Sequence, residues 1–219
     1  MTFFEQLQSS TSNDRAQLLD APIIAAAMAG LVNRQQYLNF LERAFHHVKH
    51  TVPLLMACGA RLPDEQEWLR TAVAHYVDEE IGHHEWILSD IAAAGGDADA
   101  VRAGVPDMDT EVLVAYAYDM VMRKNPVGFF GMVYVLEGTS VTLATAAAQA
   151  LRTALDLPPN AFTYLSSHGS LDVEHVGHLQ ALVNRLERSA DRSAVERGAQ
   201  VVYRLYGNVL RGIDHACAS

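Results

Sequence analysis

Residues 166–178 read SSHGSLDVEHVGH. On a helix, His168, Asp172 and His175 fall at i, i+4 and i+7 and share one face, which aligns imidazole, carboxylate and imidazole beside Leu171, Val176 and Leu179. Two other places set polar groups into apolar surroundings. In DEEIGHHEW, Glu80 and His83 stand three residues apart, and in GMVYVLEGTSVTLA, Glu137 is a lone carboxylate with no adjacent Lys or Arg. Unpaired burial of such groups costs several kcal/mol, so each demands a partner. Each also has an ordinary explanation: a Glu-x-x-His pair on a wet surface, a solvated DVEHVGH face, or a buried acid bonded to a backbone amide.

Taken together, the three places form a more specific pattern. A Glu-x-x-His, a lone Glu and an Asp-x-x-His with a further His upstream, on separate helices, approach the carboxylate–imidazole set by which helical bundles hold two iron or manganese ions. Hard carboxylate oxygens with a few imidazoles suit Fe(II), with Mn(II) as the variant, and no cysteine lies nearby to suggest structural zinc. Six such ligands, Glu80, His83, Glu137, His168, Asp172 and His175, hold two metals and leave positions open for O2 and a substrate.

The elements that must position these residues read as helices throughout. Ala, Leu, Glu and Arg dominate, and alternating polar–apolar runs are scarce. Pro22 starts one helix, and a second runs from near Asn33 with a bend before Pro53. A third runs unbroken from Pro63-Asp64 through Glu80 and His83 to Gly95-Gly96. Asp109 is the expected cap of TEVLVAYAYDMVMRK, and Pro126 and Gly128 break the chain before the helix that carries Glu137. DLPPN turns into the helix of the opening motif, and a last helix closes the chain. The expectation is a single all-α domain over residues 1–219, a bundle of about seven helices.

Bulk properties restrict the functions. A net charge of −10 disfavours nucleic acid and anionic membrane surfaces as partners. No apolar run reaches the roughly 18–20 residues of a membrane span, and the first residues show no signal peptide. The two cysteines, Cys58 and Cys217, are far apart and suggest no disulfide framework, so the expected location is cytoplasmic. FHHVKH, with His46, His47 and His50, reads as a partly exposed helix face.

DEEIGHHEWILSDIAAAGG, YVLEGTS and HGSLDVEHVGH together resemble the haem-oxygenase-like di-iron oxidases and oxygenases, whose superfamily also holds haem oxygenase, thiaminase II and pyrroloquinoline-quinone synthase. The likeness covers roughly residues 20–188. It implies a haem-oxygenase-like helical bundle in which those six residues are the metal ligands, with Glu137 bridging the irons. It also implies an O2-dependent non-haem iron oxidoreductase acting on a small apolar or amphipathic molecule, fatty-acid-like or amino-acid-like, with an external electron donor. Phe129, Phe130, Met132, Val133, Val141, Tyr116, Met120 and Met122 are the expected walls, and Lys49, Arg123 and Lys124 the available clamps for a carboxylate. A homodimer is the default assembly. The alternatives are a metal-free cofactor-biosynthesis enzyme or small-molecule binder on the same fold, or a ferritin-like iron-handling protein, for which Glu42 would add a carboxylate.

Overall fold

The computed structural model describes residues 1–215; for residues 168–174, 214 and 215 it describes the backbone only. It shows twelve α-helices among these residues and no strand. The chain is all-α, and the helices outnumber the expected seven because two long runs are divided and three short helices, at residues 3–10, 12–19 and 98–103, were not anticipated.

Two short helices precede the first anticipated one: α1 (Phe3–Ser10), closed by a Thr2/Glu5 capping box, and α2 (Ser12–Leu19). Pro22 opens α3 (Pro22–Met28), its fixed φ suiting the first helical position. The run from Asn33 divides at Lys49 and His50 into α4 (Arg34–Val48) and α5 (Thr51–Arg61), a little before Pro53. α6 (Glu67–Glu80) and α7 (His83–Ala93) are likewise two helices where one was expected. α8 (Ala98–Ala103) leads to α9 (Met108–Arg123). α10 (Phe129–Leu155), α11 (Thr163–Asn184) and α12 (Ser189–His215) complete the bundle.

α10 is the central element, packed most extensively on α11 and α12. The stretch Pro126–Leu155 has a window of mean hydropathy 1.4, long and apolar enough by composition to cross a membrane, against the sequence expectation. Most of that window is buried inside the bundle, as a core helix requires.

Charged side chains fix the helix ends. The cap of α9 is Asp107 rather than Asp109: its carboxylate accepts from the amides of Asp109 and Thr110 and from the Thr110 hydroxyl. Asp107 also pairs with Arg43 of α4 at 3.0 Å, and the same guanidinium donates to the carbonyls of Val209 and Gly212 on α12. One half-buried arginine therefore ties three helices together. Phe162 gives α11 no side-chain cap. Its first amides, Thr163 and Tyr164, donate instead to the carboxylate of Asp90 on α7, at 3.0 and 2.8 Å. This contact docks the helix that bears His175 against the helix that bears His83. Tyr37 of α4 stacks on Phe162 at 5.0 Å, and its hydroxyl donates to the Ala161 carbonyl.

Candidate metal centre

Residues Glu80 to His83 do not continue a helix. Ile81 has φ −59° and ψ 122°, and Gly82 has φ 91° and ψ −7°. Those are the angles of a type II turn, whose third residue must take a positive φ and is therefore usually glycine. The turn ends α6 and starts α7. Glu80 and His83 occupy its first and last positions, and the His83 Nδ1–H donates to Glu80 Oε2 at 3.1 Å. The His83 ring stacks on Trp86 with centroids 4.1 Å apart.

Glu137 enters from α10 and His175 from α11, both buried. One oxygen from each of Glu80 and Glu137 and one ring nitrogen of His175 all lie within 4.8 Å of one another. A metal ion about 2.0–2.2 Å from each donor separates opposite donors by roughly 4 Å, so this set fits one with small side-chain rotations. Glu79, which the sequence pattern did not select, joins the group: its Oε2 is 3.5 Å from His175 Nε2, while Glu137 Oε1 is 3.8 Å from His175 Nδ1. The Tyr76 ring lies 6.1 Å from that of His175 and 6.2 Å from that of Phe130.

The ending of α6 reinforces the fit. Asp78, Glu79 and Glu80 fill its last turn with no basic residue among them. Carboxylates there face the negative end of the helix dipole, an arrangement unfavourable by roughly 0.3–1 kcal/mol per charge unless a cation offsets it. A divalent ion held by Glu80 would do so.

Of the six expected ligands, the structure thus brings Glu80, Glu137 and His175 together and links His83 to them through Glu80. The side chains of His168 and Asp172 lie outside the described residues, although both residues belong to α11 with His175. Beyond the cluster, Glu85 binds Arg102 through both carboxylate oxygens and Tyr134 packs on Tyr203 and Phe4. Glu42 lies beside Arg43 and Asp107, and burial raises its pKa.

The expected clamps point elsewhere: Lys49 contacts His46 and the Phe45 ring, while Arg123 and Lys124 pair with Asp119. Cys58 is buried, donates to the Pro126 carbonyl, and has its thiol pushed up to about 12 by burial, so it is no nucleophile. Cys217 lies outside the described residues.

A cavity of about 180 Å3 opens from Glu80 and Glu137 and runs between α3, α4, α10 and α12. Phe129, Met132 and Val133 line it as expected. The other predicted walls do not: Phe130 packs on Tyr76, Met120 packs under Gly128 and Gly198, Tyr116 stands under the Lys124 ammonium, and Met122 and Val141 are exposed. The FHHVKH segment departs most from its sequence reading. His46 and His47 are 1 % and 4 % exposed, and burial lowers the pKa of each to about 4. His47 lines the cavity; His50 bonds the Tyr118 hydroxyl.

The fold is a haem-oxygenase-like helical bundle in which a largely buried carboxylate–imidazole cluster lies at the end of an apolar cavity. Solved structures carry the same fold. The chain aligns over its whole length with 94 % of a Shewanella denitrificans domain of unknown function with a haem-oxygenase-like fold, at TM-score 0.86 and 23 % identity. It aligns over 97 % of its length with 93 % of a TenA homologue from Pseudomonas syringae, at 0.80 and 11 %. A haem oxygenase from Leptospira interrogans matches over 96 % of this chain and 99 % of its own, at 0.77 and 13 %. No curated protein matches the chain. The model of the iron-containing redox enzyme family matches residues 38–207, and the chain belongs to that family.

Proposed function

We propose that this protein is a non-haem di-iron oxidase or oxygenase that uses O2 to oxidise a small apolar or amphipathic molecule, with an external electron donor. The observation that carries this reading is the convergence of Glu80, Glu137 and His175, from three helices, at the end of an apolar cavity. His83 completes the set beside Glu80, and His168 and Asp172 are proposed to supply the remaining ligands from α11. Bound iron would supply O2 binding and the transfer of electrons to it.

The chain's own residues perform the rest. Glu137, buried and 3.8 Å from His175, would hold iron together with Glu80 and His175. Glu80 fixes the His83 ring by accepting its Nδ1 proton, which sets the tautomer that leaves Nε2 as the ligating nitrogen. Phe129, Met132 and Val133 hold the substrate and exclude bulk water from the reacting end. A cavity opening directly onto the cluster favours an enzyme over an iron store, and the inert Cys58 thiol gives no support to a cysteine-dependent reaction.

Elemental analysis of protein purified with added iron provides the test. We expect about two irons per chain. His175→Ala and Glu137→Ala should each lose most of that iron while circular dichroism stays helical. An unchanged iron content in both variants overturns the proposal.

A further inference from the structure

The same cavity shows what kind of molecule it accepts. The Nδ1 of His47 lies 2.9 Å from the Arg43 carbonyl oxygen, which only accepts, so Nδ1 carries the proton. Burial keeps the ring neutral above a pKa of about 4. Nε2 is therefore a lone-pair acceptor, and it has no partner among the described residues, although the ring is 4 % exposed and lines the cavity. The Tyr206 ring, edge-on at 5.7 Å, holds the imidazole in place. A polar atom elsewhere in the lining is unsatisfied. Thr139 and Thr142 donate to the carbonyls four residues back, whereas the buried Ser140 hydroxyl has no partner. Buried polar groups are almost always paired, so the Ser140 hydroxyl marks where a polar atom of a ligand goes, and His47 Nε2 offers an acceptor in the same cavity lining.

Charge narrows the choice. Among the described residues no lysine or arginine lines the cavity, while Glu80 and Glu137 do. A carboxylate headgroup has no cation of the protein to meet there. The volume, about 180 Å3, is close to that of the roughly 150 Å3 apolar cavity known to take up benzene, so the occupant is slender or short.

We infer that His47 is a specificity-determining residue that accepts a hydrogen bond from a hydroxyl or amino group on a small, otherwise apolar substrate, so that the site selects alcohols or amines over carboxylates. The inference rests on the reading of this cavity as the enzyme's substrate site.

The probes are n-hexanol, its isomer methyl pentyl ether, which lacks the donor, and hexanoate. Binding is measured by calorimetry on the full-length protein, as purified and after chelation. Hexanol should bind about five- to tenfold more tightly than the ether, the usual weight of one buried hydrogen bond whose acceptor is otherwise unpaired. The preference should vanish in His47→Leu and persist in part in His47→Gln, whose amide oxygen can still accept. In imidazole nitrogen NMR the His47 Nε2 resonance should move with hexanol and stay still with the ether. Equal binding of alcohol and ether, tighter binding of hexanoate in the chelated protein, or a preference unchanged in His47→Leu would each overturn the inference. A preference that disappears on chelation would also overturn it, because the metal rather than His47 would then hold the headgroup. Iron content before chelation reports on the di-iron reading separately: protein purified with added iron that holds none yet still prefers hexanol leaves His47 assigned and removes the oxygen chemistry.

Discussion

His46 and His47 are the residues at which burial acts most directly on a titration. An exposed histidine titrates at 6.5, and these two at about 4 in the folded protein. Desolvation is the main cause for both. For His46 the Lys49 ammonium adds to it and Asp107 opposes it; for His47 the Arg43 carbonyl opposes it, and the neighbouring histidines lower it further. The sign follows from proton counting. Between pH 6.5 and about 4 the unfolded chain binds protons at these positions that the folded chain refuses, so folding stability is complete above 6.5 and falls as pH drops through this range. Each histidine contributes up to about 1.4 kcal/mol per pH unit to the slope. Urea denaturation across that interval should show a falling midpoint, and His47→Gln, with one titrating group fewer, should show a shallower fall. A midpoint flat from pH 6.5 to 4 in the unsubstituted protein contradicts this account.

At the scale of elements, the turn from Glu80 to His83 decides whether the proposed ligands of α6 and α7 converge. Gly82 has φ 91°, and a Cβ added there meets nothing within 4 Å, so an alanine is opposed by backbone conformation alone. Gly82→Ala should cost about 1–2 kcal/mol of stability. It should also weaken iron binding, because the strain is relieved by rotating His83 away from Glu80. Wild-type iron affinity alongside lowered stability would show that the turn serves the fold and not the site.

This turn also shows how far the sequence could be read. Glu and His three residues apart meet in a helix and across a four-residue turn alike, so the pair was identifiable while its local structure was not. The helical periodicity on both sides hid the type II signal of Ile81-Gly82. Prolines at 22 and 126 marked true helix starts because their effect is covalent and local. Asp109 was chosen as a cap over Asp107 because both precede the same apolar run, and only tertiary pairing with Arg43 separates them. Glu79 and His47 could not be selected from sequence for a related reason: their partners, His175 and the cavity wall, come from elements distant in sequence.

For the whole molecule, the width of the cavity depends on how closely α10 and α12 approach, since α10 carries Glu137 and Met132 while α12 carries Tyr206 and Leu210. Glycines set that approach. A Cβ on Gly131 would collide with the Val195 carbonyl oxygen and come within 2.6 Å of the Ala199 nitrogen, and one on Gly198 would come within 2.5 Å of the Gly128 carbonyl oxygen. These obstacles are backbone atoms of the facing helix, so no side-chain rotation relieves them, and the helices must separate. Gly131→Ala should therefore destabilise the protein by about 1–3 kcal/mol, the usual cost of overpacking a filled interface. Gly138, on the same helix, is the matched control: a Cβ there meets nothing within 4 Å, and alanine should stabilise by about 0.5–1 kcal/mol through helix propensity. Denaturant unfolding of both variants gives opposite signs if the glycine contact fixes the spacing of the two helices. Equal shifts would mean that α10 and α12 are held by their apolar side chains alone, and the cavity dimensions would then not depend on the glycines.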